Sequence, residues 1–110
     1  MAPQNVESKL KAASPYIGHV LVHGDQRNYC VALVTLDPDT TPPGLDAEAE
    51  VGSAVQAANA KLARHETIKK FAVLDKDFTV EDGTLTASLK MRRREIENRY
   101  RSVLDGLYEG

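Results

Sequence analysis

The chain has 110 residues, enough for one domain with a modest core and too few for two. Its 42% hydrophobic and 27% charged content excludes a wholly disordered or fibrous chain. With 14 Lys+Arg against 16 Asp+Glu, a net charge of −2, no global field draws it onto nucleic acid or an acidic membrane.

In chain order, Pro3 followed by Gln4, Asn5 and Glu7 reads as the first turn of a helix. Proline there forfeits no hydrogen bond, and an early glutamate suits the positive end of the helix dipole. Val6, Leu10 and Ala13 give that helix one apolar face, and Ser14-Pro15 ends it. Ile17 to Val22 and Tyr29 to Leu36 are β-branched, aromatic or aliphatic runs separated by Gly24, Asp25 and Asn28, the pattern of a β-hairpin. The second run is apolar on both faces, so it is expected to be a central strand covered by helices on each side. Asp37 to Leu45 holds three prolines and a glycine and reads as a loop within the domain. Asp46 is placed to cap a helix running to about Ala63, with Val51, Val55, Ala58 and Leu62 on one stripe. Lys70 to Leu74 is a third strand, Asp82-Gly83 a tight turn, and Met91 to about Tyr108 a helix carrying Ile96, Tyr100, Val103, Leu104 and Leu107 on one face. The fold class expected is α/β (α+β): a small mixed sheet of about three strands packed between helices.

The segment from Lys90 to Arg101 contains six basic residues in twelve. It has two readings: a helix docking nucleic acid or an acidic protein, or a solvated face in which Glu95 and Glu97 pair with nearby arginines. Low net charge and only six aromatic residues favour the second. His19, His23 and His65 lack metal-ligand spacing, so no bound metal is expected, and the lone Cys30 falls in the buried second run and excludes an internal disulfide. No Ser/His/Asp order or phosphate-cradling glycine loop is present, so the chain by itself is expected to be catalytically inactive. The first fifteen residues hold no apolar run of signal-peptide length, and the longest apolar stretch is far below the ~20 residues of a membrane helix. With a single cysteine, these features lead to the expectation of a cytoplasmic protein without a transmembrane segment, leaving peripheral contact with the inner membrane face open.

Several motifs then occur in a familiar order. Met1-Ala2-Pro3-Gln4-Asn5-Val6-Glu7 resembles the end of the hinge motif of AMP-forming long-chain fatty-acid–CoA ligases, where a glycine-rich turn runs into an I-A-P-Q-N-I-E helix start. Ala13 to Ile17, Val22 to Asp25, Arg27 to Tyr29, Ala32 to Asp37, Asn59 to Ala63, His65 to Phe71 and Gly83 to Arg93 resemble the segments that follow, leaving only about residues 38–58 unmatched. The resemblance implies that residues 1–110 are the mobile C-terminal subdomain of a larger ligase, whose N-terminal domain, outside this sequence, binds ATP with Mg²⁺ and the acyl chain. It implies ATP, CoA and a long-chain fatty acid as substrates of the whole enzyme, the N-terminal domain as partner, and no nucleic acid.

Lys90 aligns with the lysine that adenylate-forming enzymes hold at the end of a mobile loop. A fatty carboxylate must approach the α-phosphate of ATP, two anions, and an ammonium reaching both would orient the attack and stabilise developing charge. The broad superfamily carries Ser-Gly-Lys here, whereas this chain has Ser88-Leu89-Lys90, the form of the long-chain branch. Ala87 stands where long-chain members often have proline. After domain rotation, the resemblance implies that the segment at Pro3, Gln4 and Asn5 faces the pantetheine channel of the thioester step. Lys69 and Lys70, adjacent cations beside a strand, are candidates for steering the phosphates of CoA; the competing reading is ordinary surface lysines.

Overall fold

A computed structural model describes residues 3–24 and 29–109, without the side chains of His65 and Glu109. The expected hairpin turn at Asp25 and Asn28, and the motif residues Met1, Ala2, Arg27 and Asn28, lie outside the described residues.

The order of elements is α1 (Pro3–Ala12), β1 (Ile17–His23), β2 (Cys30–Leu36), α2 (Ala47–Asn59), β3 (Ile68–Val73), α3 (Arg93–Arg99) and α4 (Arg101–Glu109), with a single 3₁₀ turn at Arg64–Glu66. The sheet runs β1-β2-β3, with β1 antiparallel and β3 parallel to the central β2. A parallel neighbour needs a crossover, which the proline-rich loop and α2 supply.

Alternation along β2 divides the core. Ala32 and Val34 face Val6, Leu10, Val51, Val55 and Ala58 from α1 and α2; Val31 and Leu33 face Phe78, Leu85, Ile96 and Leu104 on the other side. Thus the run apolar on both faces is the central strand, covered on both sides as its sequence requires. Leu10, Leu21, Leu33, Ile96 and Leu104 are fully buried, each such side chain contributing roughly 1.5–3 kcal/mol. The β1–β2 register shifts between Ile17 and His19. A Cβ on the intervening Gly18 would lie 2.8 Å from the carboxylate Oδ2 of Asp77, so glycine is needed for that approach.

Several element boundaries differ from the sequence reading: β3 runs Ile68–Val73 rather than Lys70 to Leu74, and the C-terminal helical segment starts at Arg93 rather than Met91. Asp46 caps α2, its carboxylate accepting the Ala49 N–H at 3.2 Å, but the helix ends at Asn59 rather than near Ala63. The Asn59 amide accepts the Ile68 N–H at 2.8 Å and donates to the Ile68 carbonyl at 3.0 Å, fastening the helix end to the start of β3. Leu62 still packs against the core from the turn that follows. The expected single C-terminal helix is also broken, at Tyr100, whose φ of −108° and ψ of 25° depart from helix geometry. The break aims α3 and α4 separately. Arg99 at the end of α3 donates to the Asp82 carbonyl, whereas Tyr108 near the end of α4 donates to the His23 carbonyl at 2.8 Å. Val103, expected on the apolar stripe, is exposed.

Candidate functional site

The scaffold beneath Lys90 is a knot of short polar side chains. Thr84 is buried; its backbone N–H donates to the Asp82 carboxylate at 2.8 Å, and its hydroxyl accepts the Thr79 N–H at 3.0 Å. The hydrogen bond from the Thr84 hydroxyl holds the Asp82 carboxyl below the ordinary range. Gly83, at φ +85°, closes the turn in a conformation that disfavours any residue with a Cβ. From this knot the chain enters a small hairpin in which Leu85 and Met91 form an antiparallel bridge and the Arg92 N–H donates to the Thr84 carbonyl at 2.9 Å.

Three residues, Ala87, Ser88 and Leu89, form the tip. The Thr86 N–H donates to the Lys90 carbonyl and the Leu89 N–H to the Thr86 carbonyl, both at 2.8 Å; the Lys90 N–H donates to the Thr86 hydroxyl at 3.1 Å. Three-residue hairpin loops place their last residue in the left-handed region, normally a glycine. Here that residue is Leu89, at φ +67°, a conformation that costs a leucine roughly 1–2 kcal/mol. This geometry gives a backbone reason for glycine in the Ser-Gly-Lys form. Lys90 itself is exposed, and its ammonium makes no ion pair or hydrogen bond with another described residue.

Four of the neighbouring arginines are spent on the fold. Arg92 donates to the Gly83 carbonyl at 3.2 Å, Arg99 to the Glu95 carboxylate at 2.8 Å and to the Asp82 carbonyl, and Arg101 to the Asn98 side chain at 3.1 Å. Arg93 pairs with Glu7, only 7% exposed, whose other carboxylate oxygen accepts the Val22 N–H at 2.7 Å. This pair joins α1, β1 and the start of α3. Committed in this way, the basic run offers no row of free guanidinium groups to phosphates, and the nucleic-acid or acidic-protein reading is not favoured.

The remaining candidates lie elsewhere. Pro3, Gln4 and Asn5 form the first turn of α1, with Gln4 and Asn5 exposed. Gln4 lines a cleft of about 170 Å³ with Glu7, Ser8, Lys11, His19 and Met91, so the start of α1 stands beside the residue that follows Lys90. Lys69 and Lys70 belong to β3, at a register irregularity between Ile68 and Lys70, Lys69 exposed and Lys70 half-buried; neither lines that cleft. Sequence reading missed the Glu7–Arg93 pair. It also missed a polar cluster behind the cleft, where the Asp77 carboxylate meets His19 Nδ1 at 2.8 Å and accepts the Thr35 hydroxyl at 2.5 Å. Apart from Glu7 in the Pro3–Glu7 motif, no local spacing signals these partners, which are 16 to 86 residues apart. Cys30 is buried, and desolvation, aided by the charge of Glu66, raises its thiol pKa.

A three-stranded mixed sheet covered by helices on both faces is the architecture of the C-terminal domain of adenylate-forming enzymes. The profile of the AMP-binding enzyme C-terminal domain matches residues 1–110, and the chain belongs to that family. It is 33% identical to the putative fatty-acid–CoA ligase fadD11 of Mycobacterium tuberculosis over 98% of this chain and 22% of that protein. It is 30% identical to the long-chain-fatty-acid–CoA ligase FadD15 of the same organism over 98% of this chain and 21% of that one. Among solved structures, the A domain of carboxylic acid reductase from Segniliparus rugosus, in complex with AMP and a co-purified carboxylic acid, superposes with a TM-score of 0.81. It is 25% identical, and the match covers 99% of this chain and 18% of that one. The chain thus spans about a fifth of the length of the ligases it matches. No helix of the described residues is long and apolar enough to cross a membrane.

Proposed function

We propose that this chain is the C-terminal domain of an AMP-forming long-chain fatty-acid–CoA ligase and supplies Lys90 to the adenylation step. The observation that carries the reading is the uncommitted ammonium of Lys90, held on a hairpin whose backbone is closed by three hydrogen bonds while Arg92 and Arg93 beside it are engaged. A fatty carboxylate oxygen attacks the α-phosphorus of ATP, the bond to the β-phosphate oxygen breaks, and pyrophosphate leaves. The ammonium bridges the carboxylate and an α-phosphate oxygen, offsetting their repulsion as charge moves to the leaving group. A lysine suits this role because its point charge rides on a long flexible stem.

In the second half-reaction the CoA sulfur attacks the acyl carbonyl, AMP leaves, and the thiol proton passes to solvent. The domain turns so that Lys90 withdraws and the first turn of α1, at Pro3, Gln4 and Asn5, faces the pantetheine arm. Lys69 and Lys70, on a different element from Lys90, steer the phosphates of CoA in that orientation. In this reading the Mg²⁺ that accompanies ATP and the acyl tunnel belong to the large domain.

The test is Lys90→Ala in the complete ligase, with the two half-reactions measured separately. Acid-dependent pyrophosphate release should fall about 10²–10³-fold, the scale of losing one preorganised charge contact, while conversion of supplied acyl-adenylate to acyl-CoA changes little. Arg94, exposed and near Lys90, is the proper control, because Arg92 and Arg93 hold the fold. Intact adenylation in Lys90→Ala, or an equal loss in Arg94→Ala, refutes the assignment.

A further inference from the structure

An exposed leucine by itself is ordinary. Leu89 differs because two independent features coincide one residue before Lys90. Its backbone sits at φ +67°, and 65% of its surface is open to solvent, more than for any other large hydrophobic residue described. The hairpin needs a left-handed residue at this position for its hydrogen bonds, and glycine or asparagine would satisfy that need with less strain. Leucine adds only apolar surface, and the described residues leave most of it uncovered. Strain held at an exposed apolar group beside a reactive side chain points to burial in another state of the molecule.

We propose that Leu89 is the anchor that seats the hairpin in an apolar recess of the ligase's large domain, fixing Lys90 at the reacting phosphate during adenylation. This rests on the function proposed above. The occupant follows from proportion: the matching ligases carry about four fifths of their length outside the segment that corresponds to this chain, and Lys90 can act only when brought to that part. The Leu89 side chain buries as the hairpin docks, water leaves the recess, and the short clamped loop transmits the position to the next residue, Lys90. Leu89 is therefore a positioning residue. A lipid surface is the weaker occupant, since one leucine beside a few cations falls short of the combined signals that stable membrane attachment needs.

The experiment compares Leu89→Asn, Leu89→Gly and Leu89→Met in the complete ligase, with Lys90→Ala in parallel. Asparagine and glycine accept the left-handed backbone and remove the apolar group; methionine keeps it. Adenylation should fall at least tenfold in the Asn and Gly variants and stay within about twofold in the Met variant. The thioester step from supplied acyl-adenylate should be unchanged in all three. The thermal midpoint of the 110-residue chain should not fall for Asn, which separates docking from folding. Full adenylation by the Asn and Gly variants overturns the inference while leaving Lys90 in place, provided Lys90→Ala is impaired. If Lys90→Ala is unimpaired, the parent reading and this one fail together. Loss of binding to anionic phosphatidylglycerol vesicles, or of self-association, in Leu89→Asn with adenylation intact would assign the leucine to a bilayer or a second copy and also overturn it.

Discussion

Replacing Glu7 by alanine tests whether the domain is tied together through the buried carboxylate that joins Arg93 to the Val22 N–H. The substitution strands the Val22 N–H, which Glu7 satisfies at 2.7 Å from a residue only 2% exposed. An unsatisfied buried donor costs about 1–3 kcal/mol. The lost stem packing adds about 1 kcal/mol. The Arg93 guanidinium, on a side chain 32% exposed, is released toward water, so loss of the pair itself adds only about 0–1 kcal/mol. The total is about 2–5 kcal/mol, which for a domain of this size lowers the thermal midpoint by roughly 10–25 °C. The contrast is Glu95→Ala. Its i,i+4 pair with Arg99 has both side chains 39% exposed, and Arg99 keeps the Asp82 carbonyl, so the expected loss is about 0.3–0.5 kcal/mol. Thermal and urea unfolding of the two variants followed by circular dichroism compares them directly. Equal midpoints would show that the buried bridge contributes no more than a surface pair, and the argument from burial would fall.

Asp82→Ala should lower stability at neutral pH, and the gap from the parent chain should narrow as pH falls below the ordinary carboxyl range. The folded carboxyl titrates below its unfolded value, so its contribution is present above the unfolded pKa and lost on acidification through the folded one; a pH-independent gap in urea midpoints would contradict this. Cys30, buried with a raised thiol pKa, should react with a disulfide reagent only as fast as the domain opens; rapid labelling of the native chain at pH 7 is the contrary result. Asn59→Ala should cost about 1–3 kcal/mol by unpairing the Ile68 backbone and should speed amide exchange at Ile68, whereas unchanged exchange there would dismiss the latch.

What could be read from the chain alone was whatever periodicity or local chemistry determines. The doubly apolar run from Tyr29 to Leu36 announced a central strand, the Asp46 cap a helix start, and Asp82-Gly83 a turn. The ordered motifs announced the family, and the profile match over residues 1–110 establishes it. Boundaries were lost where tertiary contacts set them. Asn59 ends α2 by bonding a backbone nine residues away, and no local spacing marks the break at Tyr100. The basic run reads as a solvated face pairing with its own glutamates, and the Arg99–Glu95 pair fits that reading, but composition gave no sign that Arg93 reaches Glu7, 86 residues distant. Lys90 was legible as a position, but the clamp beneath it, with Thr84 at its centre and Leu89 at its tip, exists only once the hairpin is closed.

The three hydrogen bonds across the hairpin also set a tolerance. A backbone that cannot lengthen leaves the lysine stem as the sole adjustable part, a reach of about 6 Å. The domain's longest dimension is 34 Å, so if it pivots as one body about a point near its edge, an angular error of about 10° displaces the hairpin by the full length of that stem. On the function proposed above, a stiff arm with a short flexible fingertip would make the charge contact an indicator of alignment: the ammonium would arrive only with the two domains correctly posed, and a modest misrotation would leave it in solvent.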